Sequence, residues 1–347
     1  MANLTIGPIL DHCIKIGASD IHISEGERIG FRIDGELGKV GGSVIDRIKT
    51  RQILLELLSD DKEVAKSFLD KKDTDFAYIH TDGTSFRVNA FFKLGKLAFV
   101  LRKIASTPKT IEELGLPKGV EKFTKAKGGL ILVTGPTGSG KSTSMISILD
   151  AINKSRREHI LTIEDPIEFI FKDDKSIFSQ REIGKDTHSF ATALRAAMRE
   201  DPDIVMVGEM RDKETVEAAM ELAETGHLVI STLHTAGSVQ TITRLVNFFH
   251  PELQHSVRYK LGDILFGVLS QRLIKKIGGG RVGIYEIMMM TPGIRNLIRS
   301  GDLIQISNTI EMGQSDGMIS MKNYADNLRD NGIIKEEDYI NYFQDDM

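Results

Sequence analysis

Cysteine is nearly absent from this sequence, with Cys13 the only one in 347 residues. A single thiol forms no intramolecular disulfide and no cysteine-rich zinc site, so both kinds of scaffold are excluded. Because its neighbour Ile14 is also apolar, Cys13 is interpreted as a small apolar residue of a core.

Long apolar runs are also missing from the sequence. No run approaches the roughly 18 residues that a membrane-spanning helix needs. Residues 1–5 lack the basic segment followed by an apolar one that is typical of a secretory signal. We therefore expect a cytoplasmic protein whose association with a membrane would be peripheral.

An excess of basic residues is missing as well. The sequence has 45 lysines and arginines and 49 aspartates and glutamates, which gives a formal net charge of −4. Proteins whose main task is to grip nucleic acid show a basic footprint, so we expect no nucleic-acid partner. The hydrophobic content of 41% and the charged content of 27% are ordinary for a globular protein.

The most informative pattern that is present is a glycine-rich run at residues 135–143. It fits G-x-x-x-x-G-K-[ST], the phosphate-binding loop, and it stands between an apolar strand pattern at 129–134 and helical apolar spacing from Met145 to Ile152. In that context the backbone N–H groups and a helix N-terminus can surround phosphate oxygens. The residues predicted to bind nucleotide are Gly135, Pro136, Thr137, Gly138, Ser139, Gly140, Lys141, Ser142 and Thr143.

Two residues of this loop have predicted roles of their own. Lys141 is expected to reach the outer phosphates of ATP or ADP, and the Ser142 hydroxyl is expected to ligate Mg²⁺. The pair predicts a site for a nucleotide together with its magnesium ion.

Phosphoryl transfer to water also needs an oriented water molecule, and two acids are candidates for that task. The apolar run at 204–207 ends in Gly208 and Glu209, whereas an Asp usually stands where Gly208 is. Glu209 is therefore predicted to orient the attacking water, to hold Mg²⁺ through water, or to do both. Glu164 ends the apolar run at 160–164 and could share those duties. The sequence does not divide the roles, but Glu209 is favoured as the main catalytic residue.

A third strand end carries a histidine. His234 follows the apolar run at 228–232 and is interpreted as a sensor of the γ-phosphate. In a parallel sheet the carboxyl ends of the strands form the edge at which nucleotide binds. No arginine flanks the loop, so a charge-neutralising cation must come from elsewhere. Arg87 and Arg102, on predicted strands near the N-terminus, are the candidates.

The chain is predicted to have two domains. Residues 1–105 are expected to form a mixed α+β domain, residues 106–118 a linker, and residues 119–347 an α/β domain in which alternating strands and helices build a parallel sheet. A helix is predicted from about Leu261 to Leu273 because its apolar residues fall on one face. The strands predicted for the sheet cover residues 129–134, 160–164, 204–208 and 228–232.

Together these motifs resemble the secretion-superfamily ATPases and, within them, the type IV pilus retraction ATPases. The resemblance covers nearly the whole chain, and the order and spacing of its short motifs make it specific. The matching segments are an N-terminal signature at 17–22, two arginine-bearing strands at 85–91 and 101–104, a linker motif at 111–117, an aspartate box at 161–169, a Walker B region at 199–212 and a histidine box at 223–235.

The resemblance implies a PAS-like N-terminal domain followed by a RecA-like P-loop ATPase domain with C-terminal helices. It implies Mg-dependent ATP hydrolysis in a homohexamer, with ATP between the domains and with Arg87 and Arg102 as finger-type cations. It further implies that domain rotation drives an inner-membrane platform protein at the pilus base. Paralogous pilus ATPases are further candidate partners.

Two features favour retraction over assembly. The chain lacks the long N-terminal extension and the paired CxxC zinc insertion typical of assembly ATPases. Residues 293–300 resemble the AIRNLIRE motif of retraction ATPases, although Gly293 replaces Ala and Ser300 replaces Glu. The alternatives that stay open are an accessory retraction paralogue, an assembly or secretion ATPase of a type IV pilus, type II or conjugative system, a nucleotide-gated structural ring, and a RecA-like DNA motor, which the net charge disfavours.

Overall fold

The computed structural model describes residues 5–33, 36–39, 44–58, 68, 73–104 and 107–344. These residues divide into two compact units. The first takes the described residues of Met1–Thr107 together with Pro166–Ile170, and the second takes those of Pro108–Asp165 and Phe171–Met347. The boundaries predicted for a linker at 106–118 stay a prediction, and residues 105 and 106 lie outside the described residues.

The described part of the first unit has an antiparallel sheet in the order β3-β2-β1-β6-β5-β4. Side chains alternate along its strands, so that Ile21 and Ile23 are buried while His22 between them points to the other face. The elements are α1 Ile6–Lys15, β1 Asp20–Ser24, β2 Gly30–Ile33, β3 Glu36–Lys39, α2 Arg47–Leu57, β4 Asp73–Ile79, β5 Ser85–Lys93 and β6 Lys96–Lys103.

The second unit alternates strands and helices, as its sequence predicts. The elements up to the sheet's fifth parallel strand are α3 Val120–Lys125, β7 Gly129–Thr134, α4 Lys141–Ser155, β8 His159–Glu164, β9 Ile177–Glu182, α5 Phe190–Ala197, β10 Ile204–Val207, α6 Lys213–Glu224 and β11 Leu228–Leu233. The remaining elements are α7 Ser238–Asn247, α8 Pro251–Ile264, β12 Leu265–Lys275, β13 Arg281–Met289, α9 Pro292–Ser300, α10 Gln305–Met312, α11 Met321–Asp330 and α12 Glu336–Gln344.

The sheet of the second unit runs in the order β13-β12-β7-β11-β10-β8-β9, and all of these strands are parallel except β13. This confirms the predicted α/β class. The central strands are covered on both faces, and residues 130–133 of β7 are fully buried. Helix α4 packs its apolar side through Met145, Ile148, Leu149 and Ile152, which recur at helical spacing. The carboxyl ends of β7, β11, β10 and β8 therefore lie next to one another along one edge.

The helix predicted from Leu261 to Leu273 is wrong from Leu265 onward. Helix α8 ends at Ile264, and β12 begins at Leu265 and pairs with β7 and β13. A strand buried on both faces is apolar at most positions, so part of it also satisfies helical spacing. Leu265, Val268 and Leu269 consequently belong to the sheet core.

Two tyrosines fasten the segment that precedes α3 to the rest of the second unit. The Tyr285 hydroxyl donates to the carbonyl oxygen of Leu114 at 3.1 Å, and the Tyr324 hydroxyl donates to that of Gly115. The two rings also meet edge to face, with their centroids 5.2 Å apart. Burial raises the pKa of both hydroxyls, and the increase is larger for Tyr285 than for Tyr324.

Helices α11 and α12 lie after the last strand of the sheet, near the C-terminus. None of the helices in the described part of the chain combines the length and the apolar character that crossing a membrane requires.

Candidate functional site

The loop between β7 and α4 needs glycine at defined positions. Gly138 and Gly140 have φ angles of 77° and 89°, in the left-handed region that side chains with a Cβ rarely adopt. At Gly135, with φ 148°, a Cβ would lie 2.2 Å from the backbone oxygen of Gln271 and 2.6 Å from Ser139 Oγ. The loop therefore packs its backbone directly against β12, and a larger residue at position 135 would displace it.

Helix α4 begins beside this loop without a side-chain cap. Its N-cap residue is Gly140, which has no side chain that could accept a hydrogen bond from the first N–H groups of the helix. In five other helices the N-cap side chain accepts a hydrogen bond from these groups, whereas α8 and α10, for example, also lack such a cap. The five caps are Asp46, Ser189, Asp212, Thr291 and Ser320. The uncapped N–H groups and the positive end of the helix dipole suit an anion, which fits the predicted phosphate group.

Lys141 is the first residue of α4 and is largely buried beneath the loop. Its ammonium group donates to the carbonyl oxygens of Gly135 at 2.8 Å and of Pro136 at 3.1 Å. The same Nζ atom lies 3.5 Å from Nδ1 of His234. The positive charge is thus held inside the curve of the loop and touches the histidine at the end of β11.

His234 connects the loop to Glu209. Its Nδ1 lies 3.3 Å from the hydroxyl of Thr137, and its Nε2 lies 3.2 Å from Oε1 of Glu209. A proton on Nε2 lets the ring donate to Glu209 while Nδ1 accepts from Lys141. One imidazole therefore bridges the ammonium group of the loop and the carboxylate beyond β10.

Glu209 is also held by Arg211, whose Nη2 lies 2.9 Å from Oε2. Partial burial raises the pKa of Glu209, but the hydrogen bond from Arg211, the contact with His234 and the positive charge of Arg211 outweigh it. The net pKa lies below its usual value, so the group is a carboxylate at neutral pH. Arg211 lies within the Walker B region at 199–212, but the sequence assigns no role to it, because an arginine two residues after an acid does not by itself indicate a contact with that acid.

Glu164 lies at the end of β8, on the far side of β10 from His234. It is buried and accepts hydrogen bonds from the Thr162 hydroxyl at 2.7 Å and from Nε2 of Gln180 at 3.3 Å. Gly208 lies beside it, since a Cβ there would be 3.5 Å from Cα of Glu164. The glycine that replaces the usual Asp thus leaves room where β10 and β8 end.

Glu209, His234 and Glu164 follow neighbouring strands at the carboxyl edge of the sheet, where the loop also begins. No group of three or more His, Cys, Asp or Glu side chains within the described residues could enclose a metal ion. Mg²⁺ beside a nucleotide is usually held by few protein ligands together with phosphate oxygens and water. Ser142, in the first turn of α4, could supply such a ligand.

Arg87 and Arg102 belong to the first unit, where they are direct cross-strand partners on β5 and β6. Arg102 Nε donates to Oδ1 of Asp20 at 2.7 Å, and Arg87 Nε lies 3.7 Å from Oδ1 of Asp75. Asp20, on β1, is buried and also accepts from the Ser19 hydroxyl at 2.7 Å. Burial raises the pKa of Asp20, but the hydrogen bonds from Ser19 and Arg102 and the nearby arginine charges bring it below its usual value.

The phosphate-type loop, the acid and the histidine at adjacent strand ends define a P-loop protein of the α/β class. The chain belongs to the Type II/IV secretion system protein family, whose sequence profile matches residues 2–327.

Within that family the chain is a close homologue of pilus retraction ATPases. It is 43% identical over 334 residues to the type IV pilus retraction ATPase PilT of Pseudomonas aeruginosa, covering 96% of each chain. It is 40% identical to a twitching motility protein of Neisseria gonorrhoeae, over 88% of this chain and 82% of that one. A crystal structure of the pilus retraction motor PilT with bound ADP superimposes with a TM-score of 0.91 at 43% identity, covering 97% of this chain and 96% of that one.

Proposed function

We propose that this chain is the subunit of an ATP-hydrolysing motor that powers retraction of type IV pili. The observation that carries the proposal is the contact chain from Lys141 through His234 to Glu209, which joins a phosphate-type loop to a carboxylate. The likeness to retraction ATPases over nearly the whole chain supports the choice of substrate and task.

ATP and ADP are proposed to bind through residues 135–143. The phosphates would accept hydrogen bonds from the uncapped N-terminus of α4, and Lys141 would exchange its contacts with the Gly135 and Pro136 carbonyls for phosphate oxygens. The bound Mg²⁺ would neutralise phosphate charge, with Ser142 as a direct ligand and Glu209 reached through water.

Glu209 is proposed as the main catalytic residue. A carboxylate whose pKa is held below its usual value is a weak proton acceptor at neutral pH, but it is a permanent negative charge that can orient a water molecule. We therefore assign Glu209 to water orientation and to the magnesium ion rather than to early proton removal. Glu164 ends the neighbouring strand β8, but its carboxylate already accepts hydrogen bonds from Thr162 and Gln180. We therefore propose that Glu164 assists Glu209 rather than acting as the main catalytic residue.

His234 is proposed to sense the γ-phosphate. Its ring contacts Lys141, which would bind that phosphate, and Glu209, which would orient the water. A shift of Lys141 towards phosphate would therefore change the contact of His234 with Glu209 as well. The imidazole would thus report occupancy of the loop to the catalytic acid.

Arg87 and Arg102 are proposed to act as finger-type cations. They are neighbours across β5 and β6, and the side chain of Arg102 is largely exposed although it is bonded to Asp20. A cation that arrives late in the reaction stabilises the charge of the transferring phosphoryl group. Replacing Arg87 by Ala would then lower the rate of hydrolysis without removing nucleotide binding.

The finer architecture belongs to the same proposal. We propose a PAS-like fold for the first unit, a RecA-like fold for the second, and a homohexamer attached peripherally to an inner-membrane platform protein of the pilus base. A cytoplasmic location and paralogous pilus ATPases as additional partners complete the proposal. Its support is the resemblance of motifs spread over the chain to those of the secretion-superfamily ATPases.

The departures from the retraction motif fall at positions where little is packed. Gly293 and Ser300 are exposed and lie near the two ends of α9, whereas Ile294 and Ile298 between them are fully buried. A Cβ at Gly293 would meet only Oγ1 of Thr291, at 3.8 Å. The substitutions thus leave the buried side of the helix unchanged.

A cellular experiment tests the direction of force. The native gene is deleted and replaced either by the wild-type gene or by Glu209→Gln, and surface pili and twitching are then measured. Retraction predicts that cells with Glu209→Gln carry pili but do not move. Cells without pili would instead identify an assembly ATPase and would overturn this part of the proposal.

A further inference from the structure

Gln271 on β12 contacts the phosphate-type loop from the side of the sheet. Its Nε2 atom donates to the carbonyl oxygen of Ser139 at 2.7 Å, and both residues are buried. A Cβ at Gly140 would lie 3.3 Å from the same Nε2 atom, and one at Gly135 would lie 2.2 Å from the backbone oxygen of Gln271. Gln271 therefore touches the loop at both of its ends.

The bond from Gln271 fixes the orientation of one peptide group. In a trans peptide the C=O and N–H bonds point in opposite directions. Because the Ser139 carbonyl points to Gln271, the N–H group of Gly140 points away from β12. That N–H immediately precedes the uncapped first turn of α4, where the donors for a phosphate lie.

We propose that Gln271 is a positioning residue for nucleotide binding, which sets the peptide between Ser139 and Gly140 so that its N–H group donates to a phosphate oxygen. The inference rests on the proposed function, since it requires that the loop bind nucleotide. Gln271 itself touches no phosphate in this arrangement and acts through the loop.

Two further observations fit a positioning role better than ordinary packing. Gln271 is a polar side chain in the middle of a buried strand, where an apolar residue would normally stand. Its Oε1 atom is buried without a hydrogen-bond partner among the described residues, and so is Ser139 Oγ. A buried polar atom without a partner lowers stability, so a glutamine at this position is best explained by a need for its N–H donor at the loop.

The test compares the Kd for Mg·ADP and the kinetics of ATP hydrolysis in purified full-length variants. Gln271→Met keeps the volume of the side chain and removes its donor. We expect about a fivefold to tenfold weaker Kd and a similarly raised KM, with kcat changed less than about twofold, because a bond that holds the ground-state loop acts on binding. Gln271→Glu, which also lacks the donor and adds negative charge near the phosphates, should weaken binding further.

Gln254→Met is the matched control, because Gln254 makes the same kind of bond, to the Phe249 carbonyl at 3.2 Å, away from the loop. It should leave Kd unchanged. Equal Kd values for the wild type and a folded Gln271 variant would overturn the inference. A lower melting temperature of the variant, with the same rise in melting temperature on adding ADP as in the wild type, would overturn it as well. Failure of the wild type to bind ADP would instead overturn the proposed function, and the inference with it.

Discussion

The imidazole of His234 places its Nε2 atom 3.2 Å from Oε1 of Glu209, so a residue that follows β11 and one that follows β10 are joined in one contact. The other ring nitrogen reaches Lys141 of the loop. Sequence places these residues far apart, and the parallel sheet brings them together because β7, β11 and β10 are neighbours. The link between loop and acid is the central feature of the site.

Replacing His234 by Ala should separate binding from turnover. The substitution removes the contact with Glu209 but leaves the backbone donors of the loop, so we expect kcat to fall about a hundredfold and the Kd for ADP to change less than about threefold. Steady-state ATPase assays and ADP titrations measure the two effects. His227→Ala is the control, because His227 precedes the other end of β11 and contacts the Leu222 carbonyl at 3.1 Å. Equal losses in both variants would contradict the role given to His234.

Replacing Asp20 by Asn should destabilise the first unit in a pH-dependent way. The folded-state pKa of Asp20 lies below its unfolded value of about 3.9, so its carboxylate stabilises the fold above that pH. This stabilisation is lost as the pH falls through the folded pKa. We expect Asp20→Asn to cost roughly 1–3 kcal/mol at pH 7 and markedly less at pH 3.

Denaturant unfolding at the two pH values measures the effect of Asp20→Asn. Asp75→Asn serves as the control, because Asp75 forms an exposed pair with Arg87 whose contribution should be small. A cost for Asp20→Asn that is the same at pH 3 and pH 7 would show that the carboxylate charge does not stabilise the fold.

Replacing Tyr285 by Phe should loosen the segment before α3. The hydroxyl of Tyr285 donates to the Leu114 carbonyl in a largely buried setting, so its loss should cost about 1 kcal/mol of stability. Thermal unfolding measures that cost, and limited proteolysis near Leu114 reports local opening. Tyr259→Phe is the control, since Tyr259 is exposed. Unchanged stability and proteolysis for Tyr285→Phe would mean that the hydroxyl does not hold the segment.

The sequence predicts the sheet strands well because each is a short, almost entirely apolar run bounded by polar or glycine residues. The predicted strands at 129–134, 160–164, 204–208 and 228–232 match β7, β8, β10 and β11 to within one residue at each end. Their order in the sheet is not visible in any local pattern, since it depends on long-range pairing.

The parts that could not be predicted depend on tertiary contacts. β12 satisfies helical spacing as well as strand length, and only its pairing with β7 and β13 decides between them. Gln271 carries no motif, and its contact with Ser139 follows from the position of β12 beside the loop. The bond between Arg102 and Asp20 likewise depends on the pairing of β6 with β1.

The most direct test of the account is the steady-state ATPase activity of the wild type, Glu209→Gln and Lys141→Ala, measured beside nucleotide binding and native mass. The account predicts a hydrolysing hexamer, a Glu209→Gln variant that binds ATP but turns it over at least about a hundredfold more slowly, and a Lys141→Ala variant that loses both activities. Hydrolysis by Glu209→Gln at the wild-type rate would contradict the assignment of the catalytic acid. A wild-type protein that binds ATP without turnover would identify a nucleotide-gated ring instead of a motor.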